Sequence, residues 1–180
     1  VDGRFTDDRF AGGDGNLYKE AWPDTEDTNF LSEHLETNEE LADHRVLLQF
    51  HADLVAAQVD EQAAVAEQYL DLNSAYAYFA VDETINDWNG VTTFYCYEED
   101  EECENHNYFR YQHEREPRWT LIPWDLDNTF ERVTPLAEIP RMFERPNNCS
   151  VRYEAFDRQV MPPGCDPLLH GIATDRARYL

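Results

Sequence analysis

The segment LIPWDLDNTF, residues 121–130, carries two acids one residue apart, Asp125 and Asp127, at the end of an apolar run. In an extended backbone, side chains two apart share a face, so both carboxylates would point the same way. Two hard oxygen donors just past a strand end suit Mg²⁺ or Mn²⁺. The same two acids could instead cap the following turn through Asx hydrogen bonds, and the residues alone leave both uses open. A second group lies upstream in NDWNG and NHNYF, with Asp87 after a helical segment and Asn107 opening the strand that leads to Asp125. A carboxylate to receive a hydroxyl proton, with an amide oxygen downstream on a metal, is a layout that phosphoryl transfer requires. Loops also gather Asn and Asp simply because these residues turn readily.

Lys19, in GNLYKEAWP, is the only lysine in the chain; the other thirteen basic side chains are arginines. It stands among Leu17, Tyr18, Ala21 and Trp22. A partly buried ammonium requires an anionic partner, and Glu20 or a phosphate would serve; a surface lysine lying over an aromatic ring is the plainer alternative. Arg45, Arg110 and Arg118 compete for the phosphate role. The histidines, His34, His44, His51, His106, His113 and His170, are scattered and make no metal pattern. There is no nucleophile elbow, Gly-rich phosphate loop or Walker pattern.

The elements that must position these residues show in the periodicity. Residues 1–30 read as loops around one short strand at 16–19. From Thr37 the pattern turns helical, with a Thr37/Glu40 capping box and apolar Leu41, Val46, Leu47, Phe50 and Leu54 at helical spacing. A second helical stretch spans about 60–86, with a break near Leu72 and Asn73, and its part from 75 to 85 is apolar enough to be central. VTTFYCY, residues 91–97, is a strand by its β-branched and aromatic content. HNYFRYQ and RWTLIPW flank HEREP as an antiparallel hairpin. Beyond Phe130 the chain is irregular, with six prolines from Pro135 to Pro167 and short helices expected near 135–143 and 167–178. The acid run 98–102 reads as a solvated loop tip, with calcium binding the lesser alternative.

With 180 residues, net charge −24 and pI about 4.3, the chain is one α+β domain whose surface repels phosphate backbones and anionic membranes. Nucleic-acid partners are therefore excluded in favour of basic ones. An ATP ligand would need a local cation or metal to offset this field. No apolar run approaches the ~18 residues of a membrane span. The polar opening VDGRFTDD shows no signal peptide and no methionine, which suggests a processed or partial chain. The four cysteines fall into two close pairs at loop positions, which read as disulfides Cys96–Cys103 and Cys149–Cys165 and imply export. The rival is a zinc site, but no C-x-x-C pair is present. Asn148-Cys149-Ser150 matches a glycosylation sequon.

GNLYKEAWP, YFAVDETINDWNG, HNYFRYQ and WTLIPWDLDNTF, in this order, resemble the CotH kinase family of secreted or spore-coat proteins. The resemblance implies an atypical protein-kinase fold, mostly its C-terminal lobe, as a single domain over residues 1–180. The nucleotide-covering lobe would be largely absent, and 131–180 would form a loop-rich tail. It implies transfer of the γ-phosphoryl of ATP, with Mg²⁺ or Mn²⁺, to Ser or Thr of a protein. Asp125 would take the metal-binding position with Asp127 beside it, Asn107 would be the second metal ligand, and Lys19 a phosphate contact. The family's W-D-G-like turn reads Trp88-Asn89-Gly90 here. An amide cannot act as a base, so Asp87 becomes the candidate proton acceptor. A kinase-like extracellular or coat-assembly module that binds a basic partner without turnover is the alternative. A third possibility comes from DLDNT, which is similar to the D-x-D-x-T pattern of haloacid-dehalogenase-type phosphatases. There Asp125 would be the nucleophile, Asp127 the acid/base and Thr129 its support, on a Rossmann-like domain.

Overall fold

The structure, a computed structural model, describes residues 3–10, 13–96, 103–130, 139, 140, 142, 144–155 and 158–175. Among these, six helices and two small antiparallel sheets make an α+β fold. The first sheet has the order β1-β4-β5, from β1 (Asn16–Lys19), β4 (Tyr108–Gln112) and β5 (Trp119–Pro123). The second has the order β3-β2-β7-β6, from β2 (Phe94–Cys96), β3 (Cys103–Asn105), β6 (Tyr153–Ala155) and β7 (Arg158–Met161). The helices are α1 (Gly3–Arg9), α2 (Thr28–Glu33), α3 (Arg45–Ala56), α4 (Gln62–Tyr69), α5 (Leu72–Thr84) and α6 (Pro167–Thr174).

The β4–β5 hairpin forms where HNYFRYQ and RWTLIPW place it, with Tyr108 opposite Pro123 and Gln112 opposite Trp119. Tyr108, Phe109, Arg110 and Tyr111 are all buried, because helices cover one face of this sheet and β1 flanks β4. Tyr18, Leu31, Phe50, Phe79, Tyr108, Trp119 and Leu169 meet in one core cluster, so β1, the hairpin and α2, α3, α5 and α6 share an interior. Every pair of described strands is antiparallel, and the parallel contact between Leu70 and Trp119 is an isolated bridge. A Rossmann-like parallel sheet is therefore not present among the described residues.

Several expectations need correction. Residues 1–30 hold α1 and α2 besides the strand; Asp27 caps α2 by accepting from Asn29 N and Phe30 N. The helix expected from Thr37 starts at Arg45. The Thr37 hydroxyl is engaged with β1, donating to Gly15 O and accepting from Leu17 N, so it caps nothing. Leu41, assigned to the apolar face, is 79% exposed. The second helical stretch breaks at Leu70 and Asp71, two residues before the expected place, because Asp71 N bonds Trp119 O and Asp71 then caps α5. Only one face of α5 is central: Ala75, Tyr78, Phe79 and Asp82 are buried, whereas Val81 is exposed. The strand in VTTFYCY is confined to Phe94–Cys96 within the described residues.

Both disulfides, Cys96–Cys103 and Cys149–Cys165, are formed. The helix expected at 167–178 is α6, and Asp166 caps it by accepting from Leu169 N. The acid run 98–102 and most of the helix expected at 135–143 lie outside the described residues. No helix among the described residues is long and apolar enough to cross a membrane.

Candidate active site

Three segments far apart in sequence are stitched together around Asn107. Its backbone carbonyl accepts from Trp124 N at 3.0 Å and from the Tyr78 hydroxyl at 3.4 Å. Its side-chain amide donates to Asn89 O at 2.8 Å, which leaves the amide oxygen as an acceptor. Its backbone N–H donates to the Glu20 carboxylate at 2.8 Å. The turn after Asp125 is tied back to the end of α5 by Phe130 N donating to Ile85 O at 2.7 Å. The loops carrying Asp87, Asn107 and Asp125 are thereby held at one end of the hairpin.

Glu20, Asn86, Asn107, Asp125 and Phe130 all adopt positive φ, between 49° and 60°. A side chain in this left-handed region costs of order 1 kcal/mol or more. Strain of this kind persists only where the surroundings fix it, and it gathers at functional loops.

The two sequence-predicted metal acids are exposed, but not as expected. The strand ends at Pro123; Asp125 is left-handed (φ 50°, ψ 58°) and opens a 3₁₀ turn over Leu126–Asn128. The two carboxylates are therefore set by a turn and not by alternation along a strand. Asp127 Oδ1 accepts from Asn128 Nδ2, and no side-chain cap bond holds Asp125.

Asp87 is 3% exposed. Its Oδ1 accepts from Asn89 N at 3.2 Å, the turn geometry that WNG supplies. Burial pushes its carboxyl up, the Asn89 hydrogen bond lowers it, and the negative charges of Asp125 and Asp127 push it further up. Asp87 also borders a crevice of about 30 Å³ shared with Asn86, Thr92, Thr93 and Val160.

Lys19 closes β1 opposite Phe109, two residues past Asn107. It is half-buried, and its backbone bonds to His34 at both N–H and carbonyl. Its charge acts on the His106 imidazole, which burial already lowers. Glu20, not Lys19, reaches Asn107. Of the rival cations, Arg110 is wholly buried against Trp22, Phe50 and Trp119, and Arg45 is engaged by Asp43.

Asp82, which no motif in the sequence singled out, is buried on α5 close to Asp87. Its signal was an acid inside the apolar run YFAVDETI.

No three His, Cys, Asp or Glu side chains stand together as a metal cluster among the described residues. Two carboxylates and an amide oxygen remain a fitting donor set for Mg²⁺, which takes few protein ligands and keeps waters and phosphate oxygens.

The sequence matches the family described as CotH kinase protein over residues 1–162, so the chain belongs to the CotH kinase family. No curated protein and no solved structure matches it.

Proposed function

We propose that the chain is a kinase-like phosphotransferase that moves the γ-phosphoryl of ATP to a Ser or Thr hydroxyl of a basic protein, outside the cell. The observation that supports it most is the stitching of Asp87, Asn107 and the Asp125–Asp127 turn into one constellation. Asn107, Asp125 and Asp127 would hold Mg²⁺ or Mn²⁺. When bound, the metal neutralises charge on the phosphate oxygens. Lys19 would supply a phosphate contact from the adjoining strand. Asp87 would take the acceptor hydroxyl's proton. A crevice of about 30 Å³ beside it has room for a water, through which that proton would pass. The backbone N–H of Asn89 positions this carboxylate, and the Asn89 side chain, an amide, takes no proton. The two disulfides support an oxidising compartment.

A second reading, a kinase-like module that binds a basic partner without turnover, is favoured by one observation. A cavity of about 380 Å³ is lined by Glu20, Asp24, Asp27 and Glu104 together with Trp22 and Phe30. Carboxylates beside aromatic rings suit a cationic side chain.

The test is phosphoryl transfer from labelled ATP, with Mn²⁺ or Mg²⁺, to a basic Ser-rich acceptor. Asp125→Ala should remove the label while circular dichroism stays unchanged. Equal labelling by the variant overturns the metal assignment. Salt-sensitive binding of the acceptor with no label from either protein supports the binding module instead.

A further inference from the structure

Asp82 and Asp87 are the two most deeply buried carboxyls near the site, 1% and 3% exposed. Asp82 Oδ2 accepts from Thr92 N at 3.1 Å and from Thr92 Oγ1 at 2.6 Å. Asp87 Oδ1 accepts from Asn89 N. The backbone joins the two residues as well, Asp87 N donating to Asp82 O at 3.0 Å. One oxygen of each is left over: Asp82 Oδ1 and Asp87 Oδ2 are buried, and no N–H or hydroxyl of the described residues donates to them.

These two oxygens converge on one spot. A Cβ at Gly90 would lie 2.4 Å from Asp82 Oδ1 and 2.8 Å from Asp87 Oδ2. Only glycine leaves that space to the carboxyls. Among the described residues, the charged and titratable groups that act most on the pair are Glu83, Asp125, Asp127, Tyr78 and Tyr95, none of them cationic. Two adjacent buried carboxylates with no counter-ion among the described residues do not both ionise. A carboxylate also cannot donate, so two leftover acceptor oxygens side by side are satisfied when one of them carries a hydrogen.

We propose that Asp82 and Asp87 hold one proton between them, carried on Asp82 Oδ1 and donated to Asp87 Oδ2, which makes Asp82 the positioning residue of the candidate proton acceptor. The role of Asp87 rests on the function proposed above; the shared proton does not. Asp82 is the donor because it is the deeper of the two; its Oδ2 keeps both Thr92 hydrogen bonds, and Asp87 keeps the one from Asn89. Burial pushes both carboxyls up, and the hydrogen bond from Asp82 pulls Asp87 back down, in the same sense. With Asn89 on one oxygen and Asp82 on the other, the Asp87 carboxylate is fixed in rotation. Lone pairs remain for a third donor, the position that an acceptor hydroxyl or its water would take.

The test is a carboxyl-carbon NMR titration of the full chain labelled at aspartate, on wild type, Asp82→Asn, Asp82→Ala and Asp87→Asn. Asp82→Asn keeps an oxygen for Thr92 and offers an N–H to Asp87, so it copies the protonated form. The wild type should show one carboxyl of the pair still protonated well above the ordinary aspartate range. That titration should be lost in Asp82→Asn and shifted down in Asp87→Asn. Asp82→Asn should retain the wild-type Asn89 and Gly90 amide shifts, whereas Asp82→Ala should move them. Both carboxyls titrating as ordinary aspartates, or Asp82→Asn disturbing those amides as much as Asp82→Ala, overturns the inference. Phosphoryl transfer read on the same proteins separates the two ideas. A shared proton with no transfer from wild type leaves the inference standing and removes the kinase function. Transfer that survives in Asp82→Asn and falls at least tenfold in Asp82→Ala supports both.

Discussion

At the scale of single residues, the most unusual side chain outside the site is Arg110. It is 0% exposed, donates through Nη1 to Ala21 O, and leaves Nε and Nη2 without a hydrogen-bond partner among the described residues. Its guanidinium lies over Trp119, Phe50 and Trp22, with the carbon 4.8, 5.4 and 5.9 Å from the ring centroids. Burial lowers it to about 10, against the pull of Asp24. A buried cation balanced by rings and one carbonyl adds little net stability, since a well-packed apolar replacement avoids its desolvation. Arg110→Met should therefore fall within about 1 kcal/mol of wild type in urea unfolding, whereas Arg110→Ala should lose about 3 kcal/mol through the cavity it leaves. Equal losses in the two variants would mean that the charge itself holds the core together. Nothing in HNYFRYQ marks this arginine as interior. Strand alternation says only that its side chain shares a face with Tyr108, and it takes the covering helices to bury that face. Asp82 is hidden for a similar reason: an acid on a helix is ordinarily solvated, and only Thr92 and Gly90, ten and eight residues on, make a place for it.

At the scale of elements, the hairpin, β1 and both disulfides were legible because each is a local signal. Alternation, a turn-rich insert and close cysteine spacing all act within a few residues. The helix start at Arg45 was not, because Thr37 has two uses and the choice is made by β1, about twenty residues away. The Asp125–Asp127 spacing was legible as a pair of acids but not as a turn. The left-handed Asp125 depends on Asn107 holding Trp124 and on Ile85 holding Phe130. The disulfides differ in what they constrain. Cys149–Cys165 spans sixteen residues and ties the segment after Pro146 to the start of α6, while Cys96–Cys103 spans seven. On loop entropy, the former is worth about 3 kcal/mol and the latter about 2. Cys149→Ser with Cys165→Ser should thus lower the thermal midpoint more than Cys96→Ser with Cys103→Ser. The reverse order would show that native contacts around β2 and β3 outweigh chain entropy.

At the scale of the molecule, a net charge of −24 sits over an interior that also holds acids. Asp166 is buried, accepts from Trp22 Nε1 and Leu169 N, and is pushed by burial from 3.8 up to about 7. Its folded value is raised, so its contribution to stability is whole below about 3.8 and is lost as pH rises through about 7. The opposite sign holds for His44, His106 and His170, which burial lowers: their contribution is present above 6.5 and lost as pH falls. The two trends partly cancel in wild type, so the difference between proteins is the informative quantity. Asp166→Asn keeps the α6 cap and removes the titration. Between pH 5 and 8, wild type should lose about 1 kcal/mol or more of unfolding free energy relative to this variant. Parallel pH profiles for the two proteins would show that Asp166 is ionised in the folded state.

The sequence by itself determined the α+β class, the hairpin, both disulfides, the acidic surface and the family, because these follow from periodicity, spacing and ordered motifs along the chain. It also picked out Asp87, Asn107, Asp125 and Asp127 as residue types suited to one task. Only the tertiary structure decided how they stand to one another. The left-handed turns at Asn107 and Asp125, the buried pairing of Asp82 with Asp87 over Gly90, and the interior place of Arg110 each depend on partners many residues away. Burial and hydrogen bonding to such partners are properties of the packed whole, and no local pattern of residue types encodes them.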